Sequence, residues 1–222
     1  IRFREDPVRM MRAIKFASRL DFRIEKDTAK AIRKLHGMIL SAAVPRVCEE
    51  VFRLFPYGKS EVAFRMMWEY GLMYDLMPEL AEFITRDGGS KSSTWKYLAT
   101  LDRYEMSMAR QKYEVSNGLR VAVLHAAWAR SAPGKNRDVV GAMLKSLKIP
   151  KATYFTAVLL LDSVRRLSRP PDGSRRRFLF NREFPDALDF NRIVVRTEGN
   201  TERILNQWED LYNEEMSKQN EQ

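Results

Sequence analysis

Apolar residues recur at three- and four-residue steps along nearly the whole chain, and that period limits the fold more than any other feature. In residues 7–20, Val8, Met11, Ile14, Ala17 and Leu20 fall on one face, with Met10 beside them. Residues spaced this way line one side of an α-helix, because 3.6 residues make a turn. The same pattern predicts helices over about residues 28–40, 41–55, 61–73, 77–84, 95–112, 119–130, 138–147, 151–167 and 201–216. Asp6 suits an N-cap and Pro7 the first helical position, where no amide hydrogen is needed. Asp27 or Thr28 would cap the second helix, and Gly71 would end the fourth. Only "FNRIVVRT", residues 190–197, reads as a strand, and it stands alone. The expectation is an all-α fold of about ten helices, with any strand confined to residues 192–197 and no significant sheet.

Two stretches interrupt the period. "TRDGGSKSST", residues 85–94, is rich in Gly and Ser and reads as a mobile hinge. It divides the chain into residues 1–88 and 89–222. "SRPPDGSRRR", residues 168–177, is a second break, followed by "NREFPDALDF", which looks short and interrupted by Pro185. Hydrophobic residues make up 45% of the chain and charged residues 31%, the balance of a globular protein. No apolar run approaches the ~18 residues a membrane span needs. The single cysteine, Cys48, rules out an internal disulfide and a cysteine-cluster metal site. It points to a reducing compartment, the cytoplasm or an organellar matrix. His36 and His125 have no partners at metal-ligand spacing, so both read as structural and no metal ligand is assigned.

The net charge of +10 is unevenly spread. Residues 1–60 carry fourteen Lys/Arg against seven Asp/Glu, and residues 165–182 carry seven Arg against one Asp. Residues 198–222 carry two basic residues against seven acidic ones. Two basic zones thus precede an acidic tail. Clustered positive charge is the footprint of a polyanion, although a solvated basic surface has the same composition. RNA contacts are expected from Lys15 and from Arg165, Arg166, Arg169, Arg175, Arg176 and Arg177. Phe178 and Phe180 are either stacking partners for bases or core residues. Removing the acidic tail is expected to tighten RNA binding.

The start "IRFREDPVRMMRAIK" has neither an initiating Met nor a polar lead-in, so the chain reads as part of a longer protein. Asp6 and Arg9 are three apart, and Arg12 and Lys15 continue that face. A carboxylate accepts hydrogen bonds and a guanidinium offers a rigid fork of donors, so the two together match a nucleobase edge. On the residues alone, Asp6 capping the helix and pairing with Arg9, worth about 0.3–1 kcal/mol when exposed, is the simpler reading.

A resemblance extends the residue reading. "RFREDPVRMMRAIKFASRLDFRIEKDTAKAI" resembles the neck of the class II tRNA nucleotidyltransferase and bacterial poly(A) polymerase family. The nucleotide-templating pattern E-D-x-x-R is met by Glu5, Asp6 and Arg9. "PRVCEEVFRLF" and "MMWEYGLMYDLMPEL" resemble later neck segments. "LKIPKATYFTAVLLLDSVRRLSR" with its Arg-rich break looks closer to the body of a bacterial poly(A) polymerase than to a CCA-adding enzyme. Met11 departs from the usual Leu and Lys15 from the common Arg.

The resemblance implies a neck (1–88) that recognises a nucleotide base and binds RNA, and an RNA-binding helical body (89–222). Asp6 and Arg9 would hydrogen-bond the base, Glu5 would orient Arg9, and Arg12 would lie near the phosphates. Arg46 and Glu49/Glu50 would brace the neck helices. The family's catalytic head, a glycine loop followed by a D-x-D pair for two magnesium ions, has no match here. Gly88-Gly89-Ser90 is followed by no such pair, and Asp102 precedes Arg103 and Tyr104. No catalytic residue is assigned. The expected partners are the RNA 3′ end, a nucleotide, the missing head and, as an alternative setting, a larger ribonucleoprotein, with no membrane. ATP and Mg²⁺ would belong to the complete enzyme, and no cofactor to this chain alone. The alternatives are a non-enzymatic RNA-binding scaffold and the body of a CCA-adding enzyme.

Overall fold

The computed structural model describes residues 2–109 and 114–220, except the side chains of 174, 175, 219 and 220. Among the described residues there are thirteen α-helices and no strand. The first seven are α1 (Arg2–Glu5), α2 (Val8–Leu20), α3 (Lys26–Leu35), α4 (Val44–Phe52), α5 (Ser60–Glu69), α6 (Leu72–Leu76) and α7 (Pro78–Arg86). The rest are α8 (Ser93–Ala109), α9 (Asn117–Ser131), α10 (Asn136–Leu147), α11 (Lys151–Leu167), α12 (Phe184–Glu198) and α13 (Arg203–Asn220). Short 3₁₀ turns at His36–Ser41, Gly89–Lys91 and Gly173–Phe180 link them.

Most of the apolar stripes read from the sequence face one continuous core running from Val8 to Trp208, while Leu20 at the end of the first stripe is exposed. Helix α9 lies at its centre and is buried along most of its length. It packs against α7, α8, α10, α11 and α12. Four alanines and one glycine let its neighbours come close: a Cβ on Gly118 would sit 2.4 Å from Thr156 Cγ2 of α11. At the other end of the chain, α2 packs on α4 and α5, and α5 in turn packs on α8.

The expected strand is a helix. Residues 192–197 lie inside α12, whose Phe184, Ala187, Leu188, Asn191 and Val194 are buried at helical spacing. Pro185 occupies the first turn, where its missing amide hydrogen costs nothing, and Gly199, at φ 72°, ends the helix. The β-branched run therefore follows the burial period, which overrides its weak strand preference. Pro185 starts this helix instead of interrupting it.

Helix α3 is capped by Glu25, whose carboxylate accepts from the Asp27 and Thr28 amides at 2.9 Å each, so neither Asp27 nor Thr28 is the cap. The Gly/Ser stretch read as a hinge is tied by hydrogen bonds at both ends. The Asp87 carboxylate accepts from Ser92 Oγ at 2.7 Å, Ser93 N at 2.7 Å and Ser93 Oγ at 2.6 Å. Trp95 Nε1 donates to Gly89 O at 2.8 Å, and Arg65 donates to Ser90 O at 2.6 Å. Burial alone would raise the Asp87 pKa, but these bonds outweigh it and hold the carboxyl below its usual range.

Candidate nucleotide and nucleic-acid interface

Helices α1 and α2 meet at Asp6 and Pro7, and the turn between them gathers the acid pair with Arg9. Asp6, just ahead of the N-cap position at Pro7, accepts from the Val8 amide on its Oδ1 at 3.2 Å, which satisfies the first amide of α2. Arg9 reaches back over this turn, with Nη1 3.5 Å from Glu5 Oε2 and Nε 3.9 Å from Asp6 Oδ2. Its Nη1 also donates to Arg2 O at 3.4 Å. The Arg9 side chain remains 42% exposed, so one edge of the guanidinium faces outward. Beside it, Arg4, Glu5 and Lys34 line a cleft of about 540 Å³ between α1 and α3.

The second partner of Asp6 comes from forty residues away. Arg46, on α4, donates to Asp6 Oδ2 at 2.8 Å. Burial pushes the Asp6 pKa up, but the Arg46 hydrogen bond and charge, the Val8 amide and Arg12 push harder and leave it below the usual range. Asp6 is thus an anion held in place.

One turn further along α2, Glu50 of α4 is 2% exposed and surrounded by cations. Lys15 Nζ donates to its Oε2 at 2.7 Å, Arg53 to its Oε1 at 3.1 Å, and Arg12 Nε lies 3.4 Å from Oε1. Desolvation favours a neutral Glu50, but the Lys15 bond and the charges of Lys15, Arg12 and Arg53 prevail and keep it ionised. Lys15 itself is 6% exposed. The expectation that Lys15 contacts RNA is therefore corrected: its ammonium is buried against Glu50 and locks α2 to α4. Arg12 stays half-exposed, on the same face as Arg9. Arg53 was missed in the sequence, although its i+3 and i+4 spacing from Glu50 and Glu49 is a readable signal.

The second basic zone sits where α11 ends. Arg165, Arg166 and Arg169 are exposed there, as are Arg176 and Arg177 in the following 3₁₀ turn. The side chain of Arg175 lies outside the described residues. Trp208, buried on α13, donates Nε1 to Arg169 O at 2.8 Å and anchors the start of this segment. Of the two aromatic candidates, Phe178 is a core residue and Phe180 is exposed. Helix α13 brings its acids close: Lys218 lowers the Glu214 pKa first, and the charge of Arg176 adds to that.

The remaining acids near the chain's midpoint serve the fold. Asp102 accepts from Ser60 N at 2.8 Å, Ser60 Oγ at 2.7 Å and Glu61 N at 3.0 Å, so a residue of α8 caps α5. Glu105 pairs with Arg120 at 2.8 Å. Burial raises both carboxyl pKa values despite these partners. Neither acid is free for a metal, and among the described residues no group of three or more His, Cys, Asp or Glu is placed to hold one.

Residues 21–84 match the family described as "Probable RNA and SrmB- binding site of polymerase A". Poly(A) polymerase I of Escherichia coli O6:H1 is 26% identical over 230 residues, covering 93% of this chain and 48% of that protein. The likeness is to the tRNA nucleotidyltransferase/poly(A) polymerase family. Shorter matches fall on both branches of that family. Poly(A) polymerase I of Haemophilus influenzae is 34% identical over 84 residues, 38% of this chain and 19% of that protein. The CCA-adding enzyme of Bacillus velezensis is 39% identical over 75 residues, 34% of this chain and 19% of that protein. The chain spans about half the length of the Escherichia coli relative. The family match to residues 21–84 starts beyond the Glu5–Asp6–Arg9 cluster, so that cluster stands on its own geometry.

Proposed function

We propose that this chain is the RNA-binding neck (residues 1–88) and body (89–222) of a template-independent RNA nucleotidyltransferase of the poly(A) polymerase type. The observation that carries the reading is the Asp6–Arg9 pair, with Arg9 half-exposed beside Glu5 and the largely covered Asp6 anchored by Arg46. A carboxylate has about four lone-pair sites. Val8 and Arg46 occupy two of those on Asp6, so it can accept from a base without releasing either. An acceptor beside a guanidinium fork matches a base edge that offers an amino group next to a ring nitrogen. On the Watson–Crick edge, adenine and cytosine set the amino group beside an acceptor nitrogen, whereas the guanine nitrogen there carries a hydrogen and uracil has no amino group. Arg12 lies along the same face, where phosphates would follow, and the exposed arginines at 165–177 supply sequence-independent contacts to RNA.

ATP is the nucleotide this reading assigns. Among the described residues no carboxylates are placed for a two-magnesium site, so this reading assigns nucleotidyl transfer to a separate domain. Extension of a primer by this chain alone in Mg-ATP would sink that assignment. The test of base recognition joins the chain to an active nucleotidyltransferase head and compares Asp6→Ala and Arg9→Ala for preference among ATP, CTP, GTP and UTP. Losing a bidentate base contact should cost about 1–3 kcal/mol of discrimination. An unchanged preference leaves Asp6 with its role at the start of α2 only.

A second reading, the body of a CCA-adding enzyme, is favoured by the 39% identity over 75 residues to the Bacillus velezensis protein. The Asp6–Arg9 edge suits adenine and cytosine alike, so analysis of products made from CTP and from ATP separately decides between the two.

A further inference from the structure

The body's basic zone borders a concavity of about 360 Å³ that the neck's chemistry does not use. Phe155, in the first turns of α11, is 62% exposed on its lining. Tyr154 meets Phe155 edge-on at 5.1 Å and donates its hydroxyl to Arg137 O at 3.3 Å, which fixes the pair. Elsewhere on the lining, the Arg166 guanidinium lies 4.4 Å over the Phe178 ring. Phe178 is itself set edge-on against buried Phe184 at 5.7 Å. A guanidinium stacked on a core ring has its plane fixed and its other face available. Arg137 is exposed on the same lining. Neither Arg137 nor Arg166 has an ion-pair partner among the described residues, and the acid on the lining, Asp162, accepts from Asn136 Nδ2 at 2.7 Å instead. Asn181 accepts the Glu183 amide on its Oδ1 at 2.9 Å, which leaves its NH₂ to donate.

We infer that this concavity receives one base of a single-stranded RNA, stacked on Phe155, with flanking phosphates on Arg137 and Arg166. The inference rests on the RNA-binding reading above and gives it a second, separate site. Exposed rings beside unpaired arginines are how single strands are held without sequence readout: every base has a flat face, and every linkage a negative charge. The volume lies within the range of small-ligand pockets. A protein partner would have to bring acids to the arginines and an apolar side chain to Phe155. RNA brings both on each nucleotide.

The experiment titrates the chain into oligo(A) containing one 2-aminopurine, whose fluorescence reports stacking, across a salt series. Phe155→Ala should weaken binding roughly 5- to 100-fold and abolish the stacking signal without changing the salt slope. Phe155→Trp should keep both affinity and signal. Arg137→Ala and Arg166→Ala should each make the log–log salt slope shallower by about 0.7. Phe155 is exposed, so a thermal melt should show the alanine variant folded. If Phe155→Ala binds with unchanged affinity and signal, the stacking site is overturned while RNA binding stands, and the ring belongs to a protein-docking surface. If the unaltered chain binds no RNA at low salt, both proposals fall.

Discussion

The two basic regions use charge in opposite ways. Around α2 and α4, cations are paired with carboxylates: Lys15 with Glu50 and Arg46 with Asp6 from different elements, and Arg53 with Glu49 and Glu50 at the end of α4. At the end of α11, Arg165 and Arg166 are exposed and without carboxylate partners among the described residues. A network fixed by carboxylates positions side chains to fractions of an ångström, which telling one base from another requires. Unpaired arginines on a surface give up no stability to be there and suit the phosphate backbone, which is the same for every sequence. The buried titratable groups also differ. Lys15 is buried against Glu50 and Glu105 against Arg120, whereas burial keeps His125 neutral on α9. Its Nδ1 lies 2.9 Å from Val121 O, and its ring stacks on Trp128 at 6.3 Å.

The largest effect that would break this contrast is in the neck. Glu50→Ala leaves Lys15 charged and buried, so urea unfolding should show about 3–5 kcal/mol of lost stability. Glu50→Leu combined with Lys15→Met should recover most of it. If Glu50→Ala unfolds like the unaltered chain, the lock between α2 and α4 carries no weight.

His125 comes next. Burial depresses its pKa to about 4, against 6.5 for an ordinary histidine. The unfolded chain therefore binds a proton as pH falls below 6.5 while the folded chain resists until about 4. Stability contributed by neutral His125 is complete above pH 6.5 and declines by roughly 3 kcal/mol as pH falls to 4. The fall in melting temperature over that range should flatten in His125→Phe. A profile identical in the two proteins would mean that the imidazole is solvated.

Arg165→Ala, Arg166→Ala and Arg169→Ala, made singly before they are combined, should each shift stability by no more than about 0.5 kcal/mol. The same triple change should flatten the salt slope of RNA binding by about 2. Loss of stability comparable to that of Glu50→Ala would place these arginines in the same class as the neck's. The smallest effect concerns the acidic tail. Its removal is not a clean test, because Leu205 and Trp208 of α13 are buried in the core, and truncation would unfold part of the body. Glu214→Gln with Glu215→Gln keeps the helix and should tighten oligo(A) binding about twofold at low salt, an effect that 0.5 M salt should erase.

What the chain encodes locally was readable. The 3.6-residue period located most helices, and α11 spans the expected residues 151–167. Glu5, Asp6 and Arg9 lie within one turn of one another, so their meeting needed no knowledge of the fold. Pairings across the chain were hidden. Lys15 looks like any exposed lysine until α4 places Glu50 beside it, thirty-five residues on. Asp102 resembles a stray acid of a missing metal pair until its forty-two-residue separation from Ser60 closes into a helix cap. "FNRIVVRT" has strand-like composition, and only the core against α8, α9 and α11 makes it a helix. Phe155 follows the helical pattern of its segment, yet the packing of the described helices leaves it 62% exposed. The reason is physical. Backbone periodicity and contacts within a turn depend on neighbours in sequence. Burial, a carboxylate's partners and a ring's exposure depend on how the helices cross, which no single stretch of residues specifies.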